Sequence, residues 1–384
     1  MRIVHVITRL IIGGAQENTV LSCEGLADRG HEVHLLSGPT VGPEGSLVDR
    51  ARAGRYAFEE VGHLVRQISP WHDLLALRAL RRRFRDLRPD VVHTHSSKAG
   101  ILGRLAAHQA GIPRIVHTIH GMSFNRTQPG FIQAAYALAE RHCARRCHAL
   151  VSVADAMTDQ ALAAGIGRLE QFETIRSGMV VEDFDPAREN PGETRRAWGV
   201  PDDAVLVGTV ARLFFNKGYE QLMEVMDLAV RQQPNLRFVW IGDGAARERY
   251  EAELSRRGLR DRVTLTGLLP PEEMPRVLAA IDLLAHTSRW EGLPRAVVQA
   301  LLMEKPAVSF AIDGAPEVVI PGETGELAPL NDIPAFAEAL VGLARDPAGR
   351  AAYGRAGRRR CLDEFDHRLM VSRLDRLYRR LAAT

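Results

Sequence analysis

AVLVGTVARLFFNKGYEQLMEVMDLAVRQQPNLRFVWI, residues 204–241, is the stretch whose reading sets the fold. Ala204–Val210 is a short β-branched run, Tyr219–Gln232 carries apolar residues at helical spacing, and Leu236–Ile241 is apolar and β-rich again. Strand, crossover helix and second strand make a βαβ unit with parallel strands, because no hairpin is available to join them. The alternation continues toward the C-terminus, with strands expected at Val263–Thr266, Asp282–His286 and Ala307–Phe310. Toward the N-terminus it predicts strands at Ile3–Ile7, Glu32–Leu36, Val91–Thr94, Arg114–Thr118, Ala149–Val153 and Phe172–Ile175, with helices such as Ser97–Ala110 and Phe131–Cys147 between them. It pauses in SGMVVEDFDPARENPGET (177–194), a polar stretch that reads as an interdomain connection. The class is α/β: two Rossmann-like, doubly wound halves, residues 1–184 and 185–365. A ligand is expected outside the carboxyl ends of the strands, in a cleft between the halves. The last segment, 366–384, places Met370, Leu374, Leu377, Tyr378 and Leu381 on one face of a closing helix.

The 384 residues suit two domains, and an apolar fraction of 46% with 25% charged residues excludes a disordered or collagen-like chain. Fifty basic residues against 47 acidic ones leave a formal charge of +3, too little for a nucleic-acid-wrapping protein. Cysteines 23, 143, 147 and 361 show neither a CxxC pair nor metal-ligand spacing, so reduced thiols and a cytoplasmic location are expected. No signal-peptide pattern follows the opening MRIVHVITRLIIGGAQE, and no run approaches the ~18 apolar residues of a membrane span.

The first βα turn, IIGGAQ, lacks GxGxxG spacing, and the next strand ends in LLSGP without an acidic residue for a nicotinamide ribose. A dehydrogenase is therefore disfavoured. Gly13 and Gly14 still precede a helix, where bare backbone lets a phosphate approach the positive helix end. The second half opens with GTVARLFFNKG, in which Arg212 follows a strand and Lys217 stands five residues on. A departing diphosphate gathers charge as its bond breaks, and an Arg fork with a Lys point charge is a suitable clamp. Lysine occurs in this chain only at 98, 217 and 305, which singles out Lys217. In HTSRWEGLPRAVVQALLMEKP (286–306), Glu291 is expected at a loop-to-helix junction, with Gln299 about 12 Å along a regular helix of ~1.5 Å rise per residue. The amides of Gly292 and Leu293 would then face an anionic group. His93, His95, His117 and His120 cluster at two strand ends, but no Asp or Cys of suitable spacing completes a metal set. Asp183 and Asp185 form a DxD that falls in the connection rather than after a strand, so no metal is expected there either.

GGAQ (13–16), HTHSSKAGILGRLAA (93–107), IVHTIHG (115–121), VARLFFNKG (210–218), WIGDGAARERYEAEL (240–254), EGLPRAVVQALLMEKPAVSF (291–310), APEVV (315–319) and TGELAP (324–329), in this order, resemble glycosyltransferase family 4. The resemblance extends over nearly the whole chain. It implies a retaining enzyme of GT-B fold, with an N-terminal acceptor domain, a C-terminal nucleotide-sugar donor domain and a last helix that returns to the first. It further implies that Arg212 and Lys217 bind the donor phosphates, that Glu291, the first residue of an E-x7-E motif, lies near the sugar, and that Gly14 approaches the diphosphate. His120 would contact the donor sugar at the reaction centre. Apart from the resemblance, His95 in the cluster of strand-end histidines is expected to face the acceptor. No cofactor or metal is implied beyond the donor substrate itself. The second motif Glu is Gln299 here, which replaces charge-assisted bonds to the ribose hydroxyls of about 1.5–3 kcal/mol each by neutral ones of about 0.5–1.5.

WHDLLALRALRRRFRDLRPD (71–90) sets Leu74, Leu77, Leu80, Phe84 and Leu87 on one helical stripe and Arg78, Arg81, Arg82, Arg85 and Arg88 on the other side. The basic side is either a solvated face or a contact for an anionic membrane at the inner face of the cell envelope. The expected reaction is sugar transfer from a nucleotide diphosphate sugar to a hydroxyl acceptor, free or lipid-linked, in cell-surface polysaccharide or glycolipid synthesis. Its rivals are a sugar-nucleotide epimerase of similar fold and a silent nucleotide-sugar-binding protein.

Overall fold

The computed structural model describes residues 1–42, 45–125 and 127–383. The chain divides into two compact units, Met1–Met179 with Asp366–Thr384, and Val180–Phe365. The junction falls inside the expected polar connection, and residues 180–184 belong to the second unit. Phe184 is buried there, and its carbonyl accepts from Arg358.

In the first unit the order is β1 (Arg2–Ile7), α1 (Gly14–Asp28), β2 (Glu32–Ser37), α2 (Val48–Ala53), β3 (Ala57–Glu60), α3 (Pro70–Leu87), β4 (Val91–His95), α4 (Ser97–Ala110), β5 (Ile115–Ile119), α5 (Gly130–Ala144), β6 (Ala149–Ser152), α6 (Asp155–Ala163) and β7 (Phe172–Thr174). The strands form one parallel sheet of order β3-β2-β1-β4-β5-β6-β7. The reversal of strand order beside β1 is the topological switch point of a doubly wound sheet. Central strands β4 and β5 are buried along their whole length, as expected of a sheet covered on both faces.

The second unit runs α7 (Pro191–Ala197), β8 (Val205–Val210), α8 (Tyr219–Gln232), β9 (Leu236–Ile241), α9 (Arg247–Arg256), β10 (Val263–Gly267), α10 (Met274–Ala280), β11 (Leu283–His286), α11 (Arg295–Leu302), β12 (Ala307–Phe310), β13 (Gly325–Ala328), α12 (Ile333–Arg345) and α13 (Pro347–Glu364). Its parallel sheet has the order β10-β9-β8-β11-β12-β13. Tyr219, Trp240 and Tyr250 pack as a ring cluster in its core, with centroids 4.7 and 5.2 Å from Tyr219.

Helix α14 (His367–Ala383) returns to the first unit and packs on α1, burying Met370, Val371, Leu374, Leu377 and Tyr378. Leu381, expected on the same stripe, is only half-buried. The inner face of α3 is Ala76, Leu80, Phe84 and Leu87; Leu74, expected inside, is exposed and Leu77 half-buried. Arg78, Arg82, Arg85 and Arg88 are exposed as expected, whereas Arg81 is half-buried.

Candidate functional site

In the second unit, three glycines set the loops leaving β8 and β9. Gly218 has φ 70°, and a Cβ there would fall 1.9 Å from the Thr287 carbonyl oxygen, so the left-handed turn and the close approach both require glycine. A Cβ at Gly242 would come 2.2 Å from the Ala211 carbonyl oxygen, and one at Gly244 2.5 Å from that of Leu213. The loops after β8 and β9 thus lie backbone against backbone. The Thr287 hydroxyl donates to the Lys217 carbonyl at 3.0 Å, and the Arg289 N–H donates to the Asn216 carbonyl at 2.9 Å. These bonds clip the loop after β8 to the loop after β11.

The consequence is an ion pair between Lys217 Nζ and Glu291 Oε1 at the carboxyl ends of two central strands. Ser288 Oγ donates to the same carboxylate oxygen at 2.8 Å, and His286 Nε2 stands 3.6 Å from it. The Glu291 N–H donates to Asp313 Oδ2 at 2.6 Å, while the Gly292 carbonyl accepts from the Gly314 N–H at 3.0 Å. Burial by itself would raise the Glu291 pKa; the Lys217 charge and then His286 outweigh it and hold the carboxyl well below the usual carboxylate range. This carboxylate is therefore ionised and oriented on both its side chain and its backbone.

Arg212 is exposed, its guanidinium carbon 5.6 Å from the centre of the Phe214 ring. Lys217 faces inward to Glu291, so the same loop presents two cations in different settings. Helix α11 begins only at Arg295, with Pro294 as its N-cap. Glu291, Gly292 and Leu293 consequently precede the helix, and the regular helical rise expected from Glu291 to Gln299 does not exist. Proline disfavours helical backbone in the residue before it, and the bonds from Asp313 and Gly314 fix a separate turn. Gly292 and Leu293 are buried, and Gln299 is half-buried on α11.

The first unit brings together a second group. Gly13 caps α1 in extended backbone that any residue can adopt, and Gly14 is the first residue of the helix. Ala15 of its first turn lines a cavity of about 130 Å³ together with Ser96, Ser97, His120, Gly121 and Ser123, among others. Behind His120 runs a file of imidazoles: His120 Nε2 lies 3.0 Å from His95 Nδ1, and His95 Nε2 lies 2.9 Å from His5 Nδ1. His93 stacks on His95 with ring centres 4.4 Å apart and bonds Tyr378 of α14 and Thr118. His117 is outside this file and pairs with the Thr94 hydroxyl at 2.9 Å.

Nitrogens of His5, His93 and His95 all fall within 4.8 Å of one another, close enough to share a metal ion. Both nitrogens of His93 and of His95 are already engaged in hydrogen bonds, so a metal would have to displace Tyr378 or Thr118 from the one and His5 or His120 from the other. His5 itself was not legible as a site residue. It is a single His in a β-branched run, and only the register that sets it opposite His93 reveals the file. Ser288, His286 and Asp313 were missed as well, because each acts by holding Glu291 from an adjoining loop or strand end. Asp183 ends a short helical turn and Asp185 caps the next one, accepting from the Ala187 N–H and pairing with Arg188.

Residues 12–182 match the family described as Glycosyltransferase Family 4, and residues 192–360 match Glycosyl transferases group 1. The chain is a glycosyltransferase, with a family 4 segment followed by a group 1 segment. In this glycosyltransferase the group 1 segment holds all six strands of the second sheet, and the family 4 segment holds β2 to β7 of the first. It is 28% identical over 352 residues to the Escherichia coli UDP-Gal:alpha-D-GlcNAc-diphosphoundecaprenol alpha-1,3-galactosyltransferase, covering 90% of this chain and 88% of that one. It is 29% identical to alpha-D-kanosaminyltransferase of Streptomyces kanamyceticus, over 73% of this chain and 75% of the other. Among solved structures, Anabaena HepE in complex with UDP and glucose superimposes with a TM-score of 0.83 at 20% identity, over 98% of this chain and 99% of that one. Sucrose-phosphate synthase from Thermosynechococcus elongatus gives 0.83 at 21% identity, with both chains fully covered. The glycosyltransferase has the GT-B fold expected from its motifs, built on parallel sheets of seven and six strands.

Proposed function

We propose that this glycosyltransferase transfers a sugar from a nucleotide diphosphate sugar to a hydroxyl acceptor with retention at the anomeric carbon. The observation that carries the reading is the Lys217–Glu291 pair, held by Ser288 and His286 at strand ends of the second sheet. Donor diphosphate competes with Glu291 for the lysine, and Lys217 with Arg212 neutralises the charge that grows on the leaving group. Glu291, relieved of part of its pairing, takes hydroxyls of the donor sugar, with Gly292 and Leu293 shaping the backbone beside it. Gln299 accepts from the ribose, Gly13 and Gly14 leave room for phosphate at the α1 N-terminus, and His120 positions the reacting sugar, with His95 on the acceptor side. A carboxylate occupied by sugar hydroxyls and the Ser288 hydroxyl is a poor nucleophile, which favours departure and attack on one face over double displacement. No metal is required by this scheme, since cations of the protein do the neutralising.

The acceptor class is a lipid-linked or polysaccharide hydroxyl, a choice supported by the diphosphoundecaprenol named for the Escherichia coli relative. Among the described residues, no helix is long and apolar enough to cross a membrane. A peripheral contact at the inner face of the membrane is supported by α3, where Arg78, Arg82, Arg85 and Arg88 are exposed, as are Trp71 at its start and Ile68 before it, 65% and 74% exposed. The test is direct. Purified protein is screened by thermal shift against nucleotide sugars, and the protecting donor is incubated with polyprenyl-diphosphate sugar acceptors, with the product anomer read by NMR. Nucleotide diphosphate release with an α-to-α product supports the reading. An inverted product removes retention, and isomerised donor without acceptor would make the protein an epimerase.

A further inference from the structure

We infer that His5 and His95 lock the tautomer of His120, so that His120 carries its proton on Nδ1 and receives a hydrogen bond at Nε2. The proposal deepens the assignment of His120 to the reacting sugar and rests on it for its consequence, though not for its geometry. An N···N contact of 2.9 or 3.0 Å holds one proton between the two rings. Neutral imidazole has one N–H, so each ring that donates from one nitrogen accepts at the other. His5 and His95 are fully buried, and burial lowers the His5 pKa to about 3 and that of His95 well below its ordinary value, so both are neutral. Neutral rings bonded in file have only two arrangements, all protons pointing one way or all the other.

The far end of the file decides between them. His5 Nε2 is buried and has no hydrogen-bond partner among the described residues. If the bonds ran from His120 toward His5, that nitrogen would carry an N–H enclosed without an acceptor, the rarer and costlier fault in a folded interior. Run the other way, His5 Nδ1–H donates to His95 Nε2, His95 Nδ1–H donates to His120 Nε2, and His5 Nε2 is a bare lone pair. A second proton on His120 Nε2 would then meet the His95 N–H head-on. His120 acts as a neutral donor, and a wrong tautomer at such a position disables a group whose geometry is intact. His95 and His5 are positioning residues; His93, pinned by Tyr378 and Thr118, stacks on His95 and keeps its ring in plane.

The test is tautomer assignment by NMR of the full chain carrying 15N-labelled histidine, with and without a protecting nucleotide sugar. The expected result is protonated Nδ1 and bare Nε2 at His120 in the wild type, and a mixture of tautomers in His95→Phe. His95→Gln, whose amide still donates to Nε2, restores the single tautomer, and His5→Leu tests the same file with an apolar packing change. Protonated Nε2 at His120 in the wild type, or an unchanged single tautomer in both His95→Phe and His5→Leu, overturns the proposal. Turnover separates it from the reading beneath. His95→Phe is expected to lose on the order of 10–100-fold in kcat with donor KM little changed, and His95→Gln to recover most of it. A lost tautomer with undiminished turnover upholds the lock and removes His120 from the reaction.

Discussion

Lys217 and Glu291 belong to one electrostatic unit, and changes at either should be read through both. Lys217→Ala is expected to lower kcat by about 100- to 1000-fold, as for loss of one preorganised charge-stabilising donor, measured with a saturating nucleotide sugar. It also leaves the Glu291 carboxylate with only Ser288 and His286, so about 1–3 kcal/mol of stability should go as well, read from urea denaturation. The protonation consequence has a definite sign. Glu291 ionises below the usual carboxylate value when folded, so its contribution to stability is present above about pH 4.3 and is lost only as the pH falls through its depressed folded value. In Lys217→Met the largest depressing charge is gone while burial remains, and a 13C carboxyl titration should find the Glu291 midpoint shifted upward. Gln299→Glu, which would complete the E-x7-E pattern, is expected to tighten nucleotide-sugar binding by about tenfold in calorimetry, through one charge-assisted bond in place of a neutral one.

At the scale of elements, the loop between β8 and α8 is the part whose shape the chemistry depends on. Gly218→Ala puts a methyl where the Thr287 carbonyl oxygen lies and forces an alanine to φ 70°. A loss of at least about 1–2 kcal/mol is expected, together with a fall in kcat/KM, because Lys217 is displaced from Glu291; Gly199→Ala, also at positive φ but with open space around its Cβ, should cost less and leave kcat/KM unchanged. Helix α3 predicts a separate behaviour: sedimentation with anionic vesicles that falls with salt and with charge reversal of Arg78, Arg82 and Arg85, while neutral vesicles leave the protein in the supernatant. Among the described residues, strand periodicity exposed eleven of the thirteen strands to sequence reading, and the two it missed share a cause. β3 (AFEE) and β13 (GELA) are four-residue edge strands carrying glutamates, so neither shows the apolar run of a strand buried on both faces. The turn at Glu291–Pro294 was misread as helix because the spacing of Glu291 and Gln299 fits a helix equally well.

For the whole molecule, acid should weaken the first unit before any carboxylate titrates. His5, His93, His95 and His117 are buried neutral, with burial as the main cause of their lowered pKa values. An unfolded chain takes up these protons as the pH falls below about 6.5 and the folded one does not, so stability declines with acid from there down toward the folded values. Each such histidine contributes about 1.4 kcal/mol per pH unit in that window, and His117→Asn should flatten the dependence by about one histidine's share, as followed by urea denaturation at pH 7 and pH 5. The sequence by itself determined the α/β class, the two halves, the family and most residues that carry charge at the second sheet, because period, turn chemistry and motif order are local properties. Tertiary structure alone decided that Lys217 is held by Glu291, that Asp313 and Gly314 bond the backbone at Glu291 and Gly292, and that His5, His95 and His120 stand in file. Those facts depend on strand register and on the approach of loops distant in the chain, and neither is written in any single stretch of residues.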